Sequence, residues 1–172
     1  MKNNITKKII IIAMTVAFDI AFSRVLALNV LTLKIGIGFA AIVLCAMLYG
    51  PVWAGVAAAL SDVLGAVLFP TGAYFPGFTV TAALGGAIFG LFLYRRRPNF
   101  LRGFLAALCY GLCVTMLANT AMISFVYGPP FWPLFVTRLA EFGVMLALQT
   151  AVITVLSSSN TLYGEIMRLR NE

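Results

Sequence analysis

Residues 35–69 read IGIGFAAIVLCAMLYGPVWAGVAAALSDVLGAVLF, and Asp62 is the one charged side chain among them. As a single helix this stretch would be about 52 Å long, against a hydrocarbon core of about 30 Å. It therefore has to turn back on itself. Gly50-Pro51 is the turn-forming pair in the right place, although no charge marks it. Two apolar helices joined by so short a turn belong in a bilayer, and the rest of the chain agrees. Hydrophobic residues make up 62% of the 172 residues, charged residues 10%, and the mean hydropathy is +1.03. A soluble domain carries roughly 25% charged residues. Little chain is left for an extramembrane domain, so residues 1–172 read as one transmembrane domain and a separate catalytic module is excluded.

Working outward from that hairpin, six apolar segments can be drawn, at roughly 5–28, 35–49, 50–69, 79–94, 102–126 and 133–158. Turn chemistry falls at Gly50-Pro51, in the run 70–77, and at Gly128-Pro129-Pro130. Lys2, Lys7 and Lys8 precede an apolar stretch from Ile9, as in a signal peptide. Asp19 and Arg24 interrupt that stretch and the small-residue cleavage pattern is poor, so the segment reads as a retained first helix. No convincing internal repeat appears, which sets the chain apart from the many carriers built from inverted repeats.

The basic residues test the division. Lys2, Lys7, Lys8, Arg95, Arg96, Arg97, Arg102, Arg168 and Arg170 all fall on one side of a six-span protein, and only Lys34 falls on the other. This is the positive-inside pattern, and it predicts an all-α integral membrane protein with six transmembrane helices and both termini cytoplasmic. One span more or fewer would scatter these charges over both faces. The net charge of +7 is thus accounted for by topology and needs no nucleic acid.

Asp19, Arg24, Asp62, Arg138 and Glu141 lie inside the segments. Each costs about 2.5–3.5 kcal/mol at mid-helix and calls for a reason. Counted from the outer helix ends at 1.5 Å per residue, they lie about 6 Å (Arg24), 8 Å (Arg138), 11 Å (Asp62), 12 Å (Glu141) and 14 Å (Asp19) deep. All belong to the outer half. That distribution predicts a polar cavity open outside and closed below by apolar packing, and it argues against a continuous ion pore. Two readings of the charges stand together: they meet a ligand, or the arginines neutralise the carboxylates. Asp19 and Glu141 suit the second.

Other features also admit two readings. Phe69, Tyr74, Phe75 and Phe78 crowd the connection around 70–77, as interface anchors or as a platform for a flat heteroaromatic ligand. Asn119, Thr120 and Ser124 approach the same outer side and could read a hydrogen-bonding edge or join helices. Ala13, Ala17 and Ala21 recur at every fourth residue, spacing that lets another helix come close, whether internal or a partner's. Cys45, Cys109 and Cys113 lie in apolar runs and read as buried hydrophobes. Without histidine they make a poor metal site, and no Walker A or zinc-protease pattern occurs, so neither enzyme, metal nor cofactor is expected.

The stretch LFPTGAYFPGFTVTAALGGAIFGLFLY (68–94) resembles the third-to-fourth helix region of folate-specific S components of energy-coupling factor (ECF) transporters. Phe22-Ser23-Arg24, 32–35, Leu48-Tyr49-Gly50-Pro51, 62–66, Asn119-Thr120, Tyr127-Gly128, Phe131-Trp132, Arg138-Leu139 and Gln149 fit as well, so the resemblance spans nearly the whole chain. Glu141 departs from it, being more acidic than the family pattern suggests. The resemblance implies the S-component fold in a bacterial plasma membrane, with folate bound near the outer face. It also implies a transmembrane T component and two cytoplasmic ATPases as partners. The Ala13/Ala17/Ala21 face would dock on the T component, and the S component would topple within the bilayer to deliver its cargo.

Folate has a flat pterin with a donor–acceptor edge, a benzoate ring and a dicarboxylate tail. On that chemistry Arg24, Lys34 and Arg138 would meet negative charge. Asp62 or Asn119 would read the pterin edge, Tyr74, Phe75 and Phe78 would stack or close over the rings, and Thr71 would supply a hydroxyl. The alternatives are an S component for another flat vitamin (riboflavin, thiamine or a pyridoxine-like compound) and a membrane scaffold without a ligand. The topology is checked by a single cysteine placed at position 97 in a cysteine-free background. A membrane-impermeant maleimide should label it in right-side-out vesicles only after permeabilisation; labelling of intact vesicles would invert the arrangement.

Overall fold

The computed structural model describes residues 2–25, 28–30, 33–70, 74–95, 99–158, 164 and 168. Among them the chain forms α1 (Lys2–Ile20), closed by a π turn (Ala21–Val25), α2 (Phe39–Tyr49), α3 (Pro51–Leu68) and α4 (Pro76–Leu93). A fifth rod follows, made of α5 (Phe100–Tyr110), a π segment (Gly111–Asn119) and α6 (Thr120–Tyr127), and then α7 (Phe131–Ser158). These are six rods laid up and down, in the order that the apolar segments predict.

One end of the bundle holds the start of α1, the α2–α3 turn, the end of α4 and the start of α5. Lys8 marks that end, its ammonium 5.4 Å from the Tyr49 ring and 5.3 Å from the Trp53 ring. The turn itself depends on Gly50, whose φ of +84° an L side chain rarely adopts, and whose Cα faces the Tyr94 ring. Pro51 then opens α3, where its missing N–H costs nothing. The opposite end, called the mouth below, gathers the end of α1, the α3–α4 connection and the α6–α7 turn at Gly128 (φ +79°).

The structure refines the predicted segments at the mouth. The first helix, expected to reach residue 28, ends at Val25, and Leu28–Val30 pairs antiparallel with Leu33–Ile35 in a short hairpin, with Asn29 opposite Lys34. The second segment, expected from 35, becomes helical only at Phe39, leaving an eleven-residue helix. At 1.5 Å per residue that is about 16 Å, half a hydrocarbon thickness. Gly36 and Gly38 complete this rod as irregular backbone beside a polar cavity, the setting in which non-helical backbone is tolerated at membrane depth. Four rods, 51–68, 76–93, 100–127 and 131–156, are long and apolar enough to cross a bilayer unaided.

Below the cavity, Val43, Ala46, Met47, Leu48, Ala54, Phe89, Leu93, Ala106 and Ile153 form a closed apolar core. The outward surface is apolar too: Val67 is 72% exposed and Phe125 81%, positions that lipid rather than water solvates. The closest helix pair is α3 against α4. A methyl group at Gly86 would overlap the Ala54 carbonyl, one at Gly90 would overlap Pro51, and one at Gly55 would lie 3.0 Å from the Ala83 carbonyl oxygen. Small residues at this seam let two backbones touch.

Gly86→Leu should therefore force α3 and α4 apart at a cost of about 1–3 kcal/mol or more. The expected reading is a clear fall in the thermal midpoint of the detergent-solubilised protein. Gly143→Ala, with nothing within 4 Å of the new methyl group, should leave the midpoint unchanged or slightly raised.

Candidate ligand-binding site

Arg24 stands in the π turn that closes α1, and its guanidinium crosses the backbone of α3 at Gly65, where an added Cβ would lie 3.1 Å from Nε. A side chain at 65 would lift the arginine off the wall. One turn earlier on α3, Asp62 takes Arg24 Nη2 at 3.8 Å on Oδ1 and the Thr79 hydroxyl at 2.8 Å on Oδ2. The Tyr74 hydroxyl in turn lies 2.8 Å from Thr79 Oγ1. With the threonine proton committed to the carboxylate, Tyr74 donates. Three elements are thus tied at the mouth by one chain of groups: α1, α3 and the start of α4.

This network borders a cavity of about 380 Å³ whose wall includes Arg24, Asp62, Tyr74, Phe78, Asn119 and Arg138. Six of the nine ligand-contact candidates named from sequence therefore converge on one space. A neighbouring chamber of about 300 Å³ adds Asp19, Ser23, Ser61 and Gln149. A third, of about 220 Å³ between the fifth rod and α7, adds Thr115 and Glu141. Tyr110 and Asn119 line all three and stand at their junction. The Tyr110 ring stacks on Phe89 at 4.9 Å between centroids, and Gly85 leaves room for it, since a Cβ there would come within 2.6 Å of the ring.

The π segment explains why Asn119 points inward from an otherwise apolar rod. Its wider turns change the helical phase over nine residues, and the Thr120 hydroxyl donates to the Thr115 carbonyl five residues back at 3.2 Å. Thr120 and Ser124 are thereby engaged with backbone: Ser124 donates to the Pro129 carbonyl at 2.8 Å and locks the α6–α7 turn. The Asn119 amide meets Thr81 Oγ1 at 2.7 Å. Arg138 lines two of the chambers, and its buried Nε has no hydrogen-bond partner among the described residues.

The remaining candidates lie elsewhere. Phe75 stands behind the wall, edge-on to Phe78 at 6.3 Å and tilted against Phe125 at 6.4 Å, so it braces the Phe78 ring. Thr71 lies outside the described residues, and for Lys34 only the backbone, in the hairpin, is described. Ala13, Ala17 and Ala21 are exposed on the far side of α1, in an apolar groove of about 690 Å³ shared with Trp53, Val56, Leu60 and Leu64 of α3. Asp19 accepts a hydrogen bond from Ser61 and packs against Gly38.

The family model for "ECF transporter, substrate-specific component" matches residues 7–163. The chain belongs to that family. It is 37% identical over 144 residues, 84% of each chain, to the Folate transporter FolT of Clostridium novyi (strain NT). To the Folate transporter FolT of Leuconostoc mesenteroides it is 28% identical over 153 residues, 86% of this chain and 82% of that one. A crystal structure of FolT bound with folic acid superposes with a TM-score of 0.83 at 34% identity, covering 88% of this chain and 93% of that chain. The helical membrane fold expected from the sequence is thus the S-component fold.

Several residues that build or brace the wall of this S component escape a sequence reading. Ser61, Thr79 and Thr81 are short hydroxyls of a kind that also caps or bends helices, and Tyr110 sits in an apolar run where an aromatic passes for core. The available signal was spacing. Ser61 adjoins Asp62, while Thr79 and Thr81 alternate at the start of α4 beside the aromatic connection.

Proposed function

We propose that this chain is the folate-binding subunit of an ATP-driven uptake transporter in a bacterial plasma membrane. It spans the bilayer six times with both termini cytoplasmic, captures folate from outside, and passes it on through a T component and two ATPases without transforming it. The convergence of Arg24, Arg138 and Asn119 on one cavity above an apolar core carries this reading. A dicarboxylate is the part of folate most costly to desolvate, so it belongs at the mouth, where Arg24 and Arg138 offer cations. The uncharged pterin then enters deeper, toward Asn119 and Tyr110, beneath Tyr74 and Phe78. Asp62 is already engaged by Arg24 and Thr79. Its part is to hold the guanidinium in place, and Asn119, whose Oδ1 accepts from Thr81, keeps its amide N–H donors for the ring edge.

The groove bearing Ala13, Ala17 and Ala21 supports the partner half of the proposal. It is apolar, lies on the opposite side of α1 from the cavity, and its small residues admit a partner helix.

Two outcomes are expected. Protein purified without added ligand should release folate on denaturation, as read by mass spectrometry, and Arg24→Ala should weaken folate binding more than tenfold while the protein still inserts. Loss of one partner of a buried charged pair commonly costs about 2–5 kcal/mol, which is ample for that change. Recovery of a different vitamin would reassign the cargo, and an empty cavity under saturating folate would reject binding altogether. Ala17→Leu should leave folate affinity within about twofold yet abolish uptake by the assembled transporter, because a branched side chain at a small-residue seam blocks close approach. Undiminished uptake would remove the groove from the docking surface.

A further inference from the structure

Both acids below the mouth occupy corresponding places. On α1, which runs toward the mouth, Asp19 precedes Arg24 by five residues; on α7, which runs away from it, Arg138 precedes Glu141 by three. Counted along each rod, the cation is therefore the shallower group and the carboxylate the deeper, by about 8 Å and about 4 Å respectively. Arg24, Arg138 and Asp62 line the mouth cavity, while Glu141 lines only the third chamber, which Arg138 also reaches. Asp19 is turned to the α2–α3 side, against Ser61 and Gly38. Glu141, 7% exposed, lines the chamber beside Tyr110, Thr115, Asn119 and Gln149, and that chamber shares Asn119 and Arg138 with the mouth cavity.

We infer that Glu141 is a specificity-determining residue that fixes which end of the ligand enters first. A carboxylate only accepts hydrogen bonds, and its two oxygens match a pair of adjacent N–H donors, such as the amino group and ring N–H of a pterin edge. The same carboxylate repels an anionic tail in a setting where water screens little. A ligand with donors at one end and carboxylates at the other is thereby drawn in ring first, its tail held at Arg24 and Arg138. This rests on the folate reading above and deepens it, giving a functional part to an acid that the sequence assigned to structural pairing.

The test compares folate with its 2-desamino-2-methyl analogue, which lacks the exocyclic donor, on wild type and on Glu141→Gln. Glutamine keeps the shape but turns a donor toward a donor. Hydrogen bonds to charged groups are strong enough that Glu141→Gln should lose about tenfold or more in folate affinity. The analogue keeps only the ring N–H of that pair, so the same substitution should cost it several-fold less affinity than it costs folate. Both ligands are measured on the same preparation, so any loss of folded protein cancels in the ratio. Equal loss for the two ligands, or no loss for either, would overturn the inference while leaving wild-type folate binding intact. A wild-type protein that binds no folate would defeat the functional reading itself.

Discussion

Charge carried into hydrocarbon has to be gathered, because each ionisable side chain left facing lipid would cost about 2.5–3.5 kcal/mol or more. Away from the basic end, Asp19, Arg24, Asp62, Arg138 and Glu141 come from α1 with its π turn, α3 and α7, and the fold brings them to one end of the bundle. Arg24 meets Asp62, Ser61 donates to Asp19, and Arg138 and Glu141 line one chamber. Three rods are thus obliged to converge there, and the space they enclose is polar because of what converged. The requirement that hides the charges from lipid also leaves a polar space lined by cations and hydrogen-bonding groups.

Convergence at that depth needs room, and absent side chains supply it. Gly65 makes space for the Arg24 guanidinium, Gly85 for the Tyr110 ring and Gly38 for Asp19. Nearer the basic end the same device works the other way. Gly86 and Gly90 close α3 onto α4 until backbone touches backbone, sealing the floor with the core around Phe89 and Leu93. A single rule, that volume removed at one point permits approach at another, opens the mouth and shuts the base.

The first helix serves two surfaces at once. Asp19 and Arg24 face the polar chambers, while Ala13, Ala17 and Ala21 face an apolar groove outside the bundle. The π turn at Ala21–Val25 lies between these duties and sets the direction in which Arg24 leaves the helix. In this chain the polar chambers and the apolar groove lie on opposite faces of one helix.

The sequence by itself determined the solvent, the number and order of the rods, and the end at which charge would collect. These follow from run lengths, from turn chemistry at Gly50-Pro51 and Gly128, and from the clustering of lysines and arginines, all of which are local properties of the chain. It also nominated Arg24, Asp62, Tyr74, Phe78, Asn119 and Arg138, since a polar or aromatic residue out of place in a membrane segment announces itself. Tertiary structure decided the rest. The hairpin at 28–35, the shortened second helix and the π segment depend on backbone hydrogen bonds satisfied beside a polar cavity, which no run of apolar letters encodes. Ser61, Thr81 and Tyr110 became wall residues, Thr79 a donor to Asp62, and Asp62 an anchor for Arg24, only when helices distant in sequence were packed side by side. Hydroxyls and aromatic rings are equally at home in a core, and their partners alone say which part they play.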